Sequence, residues 1–252
     1  MATALIRPIP DTFDQALARH ARPGIDVDLA RAQHDSYRMH LETAGYEIEE
    51  VPTDPEYPDC VFIEDTAVIL GSTAVITRSG APSRRGETGP VATALRRNFP
   101  LVEIEAPGTI DGGDVLIMRD TVYVGRSERT NQEGIDQLEP IAAEHGLGLV
   151  AVGVFDALHL KSVVLPVNDD TVVVTPHAVE EAGLGDLRRV YEADSERHRF
   201  SALPLRDGRL LVTAGAPETA TVLATLGHDI VLIDVSQIQV ADGGLTCMSI
   251  LF

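Results

Sequence analysis

Cys247 follows a glycine-bearing bend, Asp242-Gly243-Gly244, and precedes an apolar, strand-like C-terminus. Glycines let a backbone turn sharply or approach a ligand closely, so the thiol is expected where a turn meets a strand. His159 stands between two leucines at the entrance to another strand-like run. Asp111 opens the run Asp-Gly-Gly-Asp, and Glu64-Asp65 interrupts apolar sequence after Asp59-Cys60. A thiolate is a nucleophile, and an imidazole can give a proton to a leaving amine and then take one from water. Carboxylates around such a pair disfavour attack on a neutral ester or a phosphate, where more negative charge would accumulate. They suit a cationic electrophile, and a guanidinium matches them in shape as well as sign. Each residue also has a plainer reading. A free cysteine is often a small buried apolar residue, a lone histidine a hydrogen-bonded core residue, Asp-Gly-Gly a turn, and Glu64-Asp65 a solvated sheet edge.

A repeat would bring these residues together. Strand-like runs at 62–70 and 73–77 read as a hairpin, followed by a helix over 91–98 and a strand over 101–104. The order recurs with strands at 115–118 and 121–124, a helix over 132–145 and a strand at 149–152. A third unit pairs 162–167 with 171–175 and offers helix at 178–182 and 188–192. A fourth pairs 201–205 with 209–213 across Asp207-Gly208, then gives a helix over 217–226 and a strand over 229–233. The C-terminal strand, 246–252, has no helix after it. It completes a fifth unit by joining the strand at 3–8, an amphipathic helix over 27–44 with Leu29, Ala32, Tyr37, Leu41 and Ala44 on its apolar face, and the strand at 46–51.

Five such units at a period near about 45 to 50 residues predict a closed α/β array, arranged like propeller blades with the inner strands around a centre. Residues 1–252 then form a single domain, with both termini in one blade. On this reading Glu64-Asp65, Asp111, His159 and Cys247 open equivalent hairpins and converge. Glu64 and Asp65, placed in a strand, would point to opposite faces of the sheet. The segment 10–24 has neither a strong apolar face nor full turn chemistry and reads as a flap or a surface connection.

Composition narrows the partners. A formal charge of −19, from 20 Lys+Arg against 39 Asp+Glu, argues against nucleic acid, which needs clustered positive charge. At 44% hydrophobic residues the chain can fill a core. Its mean hydropathy is +0.04. The sequence has no apolar run near membrane-spanning length and no signal segment, so a cytoplasmic location is expected. Two cysteines without CxxC spacing are expected to be free thiols.

The segments PDCVFIEDTAV, GAPSRRGE, DGGDVL, VGRSERTNQEG, LHLKS and DGGLTC, in that order, resemble those of the dimethylarginine dimethylaminohydrolases. These belong to the guanidine-modifying (pentein) superfamily, with a five-bladed propeller of ββαβ units. The resemblance implies that Cys247 attacks the guanidinium carbon, that His159 protonates the departing amine and then activates water, and that Asp111 orients the histidine. It implies that Asp65, with Glu64 and Asp59, grips the guanidinium and α-amino nitrogens. Arg84 and Arg129 would hold the α-carboxylate, with Arg85 the alternate for Arg84. Ala241 would contribute a backbone carbonyl and Leu17 an apolar lid.

No cofactor or metal is implied, the expected ligand is a small cationic amino acid, and a homodimer is left open. An arginine deiminase is the sibling reading, although deiminases of the superfamily look longer, with an inserted helical region. Agmatine lacks the carboxylate that the two arginines would hold. A non-catalytic binding protein for arginine-like ligands would be expected to lack one of Cys247, His159 or the inward carboxylates. A metal site would draw its ligands from separate units without the usual short spacing.

Overall fold

The computed structural model describes residues 2–19 and 23–252. The chain opens with β1 (Thr3–Ile6), α1 (Val27–Thr43) and β2 (Glu47–Glu50). Asp26 caps α1 by accepting the Leu29 N–H at 3.0 Å, and Gly45, at φ +87°, stops it. The next blade contains β3 (Ala67–Leu70), β4 (Thr73–Ile76), α2 (Thr88–Leu95) and β5 (Leu101–Glu103). The second contains β6 (Val115–Met118), β7 (Thr121–Arg126), α3 (Gln132–Glu144) and β8 (Gly148–Gly153). The third has β9 (Val164–Pro166), β10 (Thr171–Val174) and β11 (Arg188–Tyr191). The fourth has β12 (Ala202–Pro204), β13 (Arg209–Thr213), α4 (Pro217–Thr225) and β14 (Asp229–Ile233). After α5 (Ser236–Val240) the chain ends in β15 (Ser249–Leu251).

The result is five three-stranded sheets, each with its first strand antiparallel to the middle one and its middle strand parallel to the last. The two ends of the chain obey the same rule. β15 runs antiparallel to β1, and β1 runs parallel to β2, so the termini complete one blade. This is the five-bladed α/β propeller expected from the sequence.

Pleat alternation explains why the blades form a ring. Leu5 packs into the apolar cluster shared with β3 and β4, while Ala4 and Ile6 on either side of it pack into the cluster shared with β12 and β13. Val173 likewise faces the fourth blade and its neighbours Val172 and Val174 face the second. Each middle strand is therefore apolar on both faces, and five clusters fill the gaps between successive blades. A fully buried residue such as Leu211 anchors two blades at once, and Leu211→Ala is expected to cost about 2–5 kcal/mol.

Three expectations need correction. The third blade has a 3-10 turn, Glu181–Leu184, where a helix was expected over 178–182, and residues 188–192 hold the strand β11 instead of helix. Pro176, Gly183 and Gly185 break up the segment, and the exposed edge of β10 supplies a complete parallel partner for Arg188–Tyr191. Residues 63–66 and 246–248, both read as strand, form 3-10 turns before β3 and β15. The buried face of α1 is Ala30, Gln33, His34, Tyr37 and Leu41, leaving Leu29 and Ala32 exposed. That face rotates because Gln33 bonds Asp234 and Ser236, each at 2.9 Å, and Tyr37 bonds Ser249 at 2.7 Å.

Candidate active site

Four of the inner strands are entered through one turn of 3-10 helix: Ile63–Thr66, Gly112–Asp114, Leu160–Ser162 and Thr246–Met248. Glu64 and Asp65 lie in the first turn, Asp111 and His159 immediately precede the second and third, and Cys247 lies in the fourth. These turns pack against one another around the ring. The convergence expected from the repeat is thus present, but the carrier is a turn before each strand. That difference is what lets Glu64 and Asp65 both be buried, instead of one on each face of a sheet.

Cys247, His159, Asp65, Asp59, Phe62, Arg84, Arg129, Ala241 and Leu17 line one cavity of about 220 Å³, with Arg19, Glu128 and Asp242 at its wall. His159 Nε2 lies 3.1 Å from Asp111 Oδ2 and 3.9 Å from Asp65 Oδ1. Asp111 also accepts the Gly80 N–H at 3.1 Å and Arg129 Nη1 at 3.4 Å. The Gly244 N–H points at Cys247 Sγ, at 3.3 Å. The segment around Leu17 is fastened down: the Leu17 N–H donates to Asp59 at 3.0 Å and the Arg19 N–H to Asp242 at 2.7 Å. Phe13 packs edge-on against Phe62 from the core, and residues 17–19 belong to the site wall. Residues 20–22 of the expected flap lie outside the described residues.

The arginines resolve into different situations. Arg84 turns inward and Arg85 turns away, donating to the Ser79 carbonyl at 3.1 Å. Arg84 is itself held by Asp65 at 2.6 Å, by Glu87 at 2.8 and 3.0 Å, and by the Phe62 carbonyl at 3.0 Å. Glu64 points elsewhere, bonding Lys161 at 2.6 Å and Thr246 at 2.9 Å, and it lines a neighbouring cavity. Sequence reasoning did not single out Lys161, Glu87, Gly113 or Asp114. All four stand inside the motifs quoted above, and their place in those motifs was the available signal.

Charge in this cluster is strongly organised. Burial opposes ionisation of Asp65, but His159, Arg84 and the Gly113 N–H outweigh it and hold the carboxyl at about 2. Burial likewise opposes the His159 imidazolium, yet Asp65, Asp111 and Asp114 raise it to about 9. Burial, then the charges of Glu64 and Asp65, push the Cys247 thiol up to about 12. At neutral pH the site therefore holds a neutral thiol beside an imidazolium and ionised Asp65. Asp65, Asp111 and His159 bring possible ligand atoms within 4.8 Å of one another, a metal-like grouping. Its carboxylate oxygens already receive backbone N–H donors from Gly113 and Gly80 and charged donors from Arg84, Arg129 and His159, and the latter three supply the positive charge a metal would bring.

A family model described as arginine deiminase matches residues 26–201, a span that includes Asp59 and His159 and stops before Cys247. Across 245 residues the chain is 39% identical to N(G),N(G)-dimethylarginine dimethylaminohydrolase of Streptomyces coelicolor, covering 97% of this chain and 94% of that protein. The chain belongs to the dimethylarginine dimethylaminohydrolase family. Solved structures of dimethylarginine dimethylaminohydrolases agree with it in fold. One, an adduct with S-methyl-L-thiocitrulline, gives a TM-score of 0.94 at 31% identity and covers 100% of both chains. Another, a mutant from Pseudomonas aeruginosa complexed with citrulline, gives 0.93 at 30% identity, covering 99% of this chain and 98% of that one. The blade order and the joining of the chain ends, read above from strand pairing, are thus those of a dimethylarginine dimethylaminohydrolase. No described helix is long and apolar enough to cross a membrane.

Proposed function

We propose that this chain hydrolyses Nω-methylated arginines, asymmetric dimethylarginine and monomethylarginine, to citrulline and dimethylamine or methylamine. The observation that carries this reading is the lining of one cavity by a thiol, an imidazole, four carboxylates and three arginines. A cationic guanidinium and an anionic α-carboxylate on one small molecule satisfy both signs. Citrulline, bound in one of the related structures, is the neutral ureido product that hydrolysis of such a guanidinium would leave.

The chemistry follows from the charges. A bound guanidinium offsets the negative field of Glu64 and Asp65, so the Cys247 thiol releases its proton to water and the thiolate attacks the guanidinium carbon. Asp65 and Asp59 hold the guanidinium and α-amino nitrogens, and Glu64 adds its charge from behind. His159, already an imidazolium, gives its proton to the departing amine as the tetrahedral adduct collapses. A thiouronium remains on Cys247. His159, now neutral and oriented by Asp111, takes a proton from water, which attacks the same carbon and releases citrulline and the thiol. Arg84 and Arg129 face the α-carboxylate, Ala241 offers its carbonyl, and Leu17 covers the entrance. The 252-residue chain works as one catalytic unit in the cytoplasm, where both cysteines persist as thiols.

The family model's own description favours one second reading, deimination of arginine itself. Separate incubation with asymmetric dimethylarginine, monomethylarginine, arginine and agmatine distinguishes them. Turnover of the methylated arginines with little from arginine is expected. Preference for arginine would replace the substrate and keep the mechanism, and no turnover of any would overturn the enzymatic reading.

A further inference from the structure

Asp114 takes no part in the steps above, yet it is fully buried between two residues that do. Its Oδ1 accepts the N–H of Leu160, the neighbour of His159, at 2.8 Å. Its Oδ2 accepts the Ser127 hydroxyl at 2.6 Å. Ser127 Oγ accepts the N–H groups of Arg129 at 3.0 Å and Thr130 at 3.2 Å. With both lone pairs used, its single proton is directed at Asp114. The Thr130 hydroxyl accepts the Asp111 N–H at 3.2 Å.

The geometry points to Asp114 as a positioning residue that sets His159 and Arg129 in register, coupling the acid-base centre to recognition of the α-carboxylate. The donor pattern demands a carboxylate. Two donors of fixed direction reach two different oxygens, and an amide would turn an N–H₂ toward one of them. Gly125 keeps the place open, since a Cβ there would fall 2.5 Å from Asp114 Oδ1 and 2.9 Å from Leu160 Cβ. Two functional residues from two blades thus hang from one carboxylate, His159 through the backbone of its neighbour Leu160 and Arg129 through the Ser127 hydroxyl.

This inference rests on the hydrolase reading, and its test separates the two. In the full chain, kcat and KM are measured across pH for wild type, Asp114→Asn, Ser127→Ala and the double variant. The substrates are asymmetric dimethylarginine and its decarboxylated counterpart, dimethylagmatine. Asp114→Asn is expected to lower kcat/KM for dimethylarginine roughly tenfold to a hundredfold, the range for a buried donor left without its acceptor. The preference for dimethylarginine over dimethylagmatine should narrow as Arg129 is loosened. The alkaline limb should move to lower pH, because one carboxylate facing the imidazolium is gone while Asp65 and Asp111 remain.

Ser127→Ala should narrow the preference and leave the alkaline limb in place, which keeps the test usable if Asp114→Asn folds poorly. The double variant should lose less than the product of the single losses, because removing the hydroxyl gives the amide room. Equal losses on both substrates, an unmoved pH profile and multiplicative effects would overturn the positioning role. Absence of wild-type turnover on dimethylarginine would instead overturn the hydrolase reading.

Discussion

Arg84 Nη1 donates to Asp65 Oδ2 across 2.6 Å, inside the wall of the cavity that both residues line. The same guanidinium closes on Glu87, so the arginine expected to meet a substrate carboxylate is also a strut between buried acids. Arg84→Ala leaves the buried Glu87 without its cation and Asp65 with His159 alone, and is expected to cost about 3–5 kcal/mol of stability. Arg129→Ala should cost less, because its bond to Asp111 is longer, at 3.4 Å, and His159 and the Gly80 N–H still serve that carboxylate. Both variants should raise KM for methylarginines. Urea unfolding of the two variants checks the contrast, and equal destabilisation would contradict the strut.

The Cys247 thiol, pushed up to about 12 by burial, Glu64 and Asp65, should react slowly with neutral alkylating agents at neutral pH. Removing one of those charges in Glu64→Gln should move the pH profile of alkylation by iodoacetamide to lower pH. An unreactive guanidinium ligand should also lower the thiol pKa, read from thiolate absorbance, and a neutral urea analogue should not. A profile unchanged by both would show that the carboxylates do not control the thiol.

His159 contributes to stability with a definite sign. Its folded pKa is raised from 6.5 to about 9, so the stabilisation is fully present below pH 6.5 and is lost as pH rises through about 9. The stability gap between wild type and His159→Gln should therefore shrink across that window. Thermal unfolding of both proteins at pH 6 and pH 9.5 measures it, and a constant gap would contradict the raised value.

Gly113 lets the imidazole and Asp65 approach each other. A Cβ at this position would fall 2.7 Å from His159 Nδ1 and 2.8 Å from Asp65 Oδ1. Gly113→Ala should lower kcat by at least roughly a hundredfold, the scale of a misplaced catalytic group. Steady-state kinetics beside a circular dichroism spectrum separates this from loss of fold.

The hairpins, most helices and the meeting of Asp111, His159 and Cys247 were legible because apolar alternation and turn residues are local signals. Asp207-Gly208 marked its hairpin, and Gly45 marked the end of α1. The 3-10 turns carrying Glu64, Asp65 and Cys247 were not legible, since a single turn leaves no periodicity to read. Residues 188–192 contain Arg, Val and Tyr in an order that fits either period, and the free edge of β10 decides for strand. Adjacent Arg84 and Arg85 are indistinguishable in sequence. Glu87, three residues on, selects Arg84 by pairing with it inside the turn Pro82–Glu87.

The central claim is covalent catalysis by Cys247, and the most direct measurement is an acid quench during turnover of asymmetric dimethylarginine, followed by mass spectrometry of the Cys247 peptide. A thiouronium adduct is expected on that cysteine in wild type, accumulating in His159→Gly because activation of water is impaired, and none in Cys247→Ser. Release of dimethylamine with Cys247 unmodified throughout, or turnover surviving in Cys247→Ser, would contradict it.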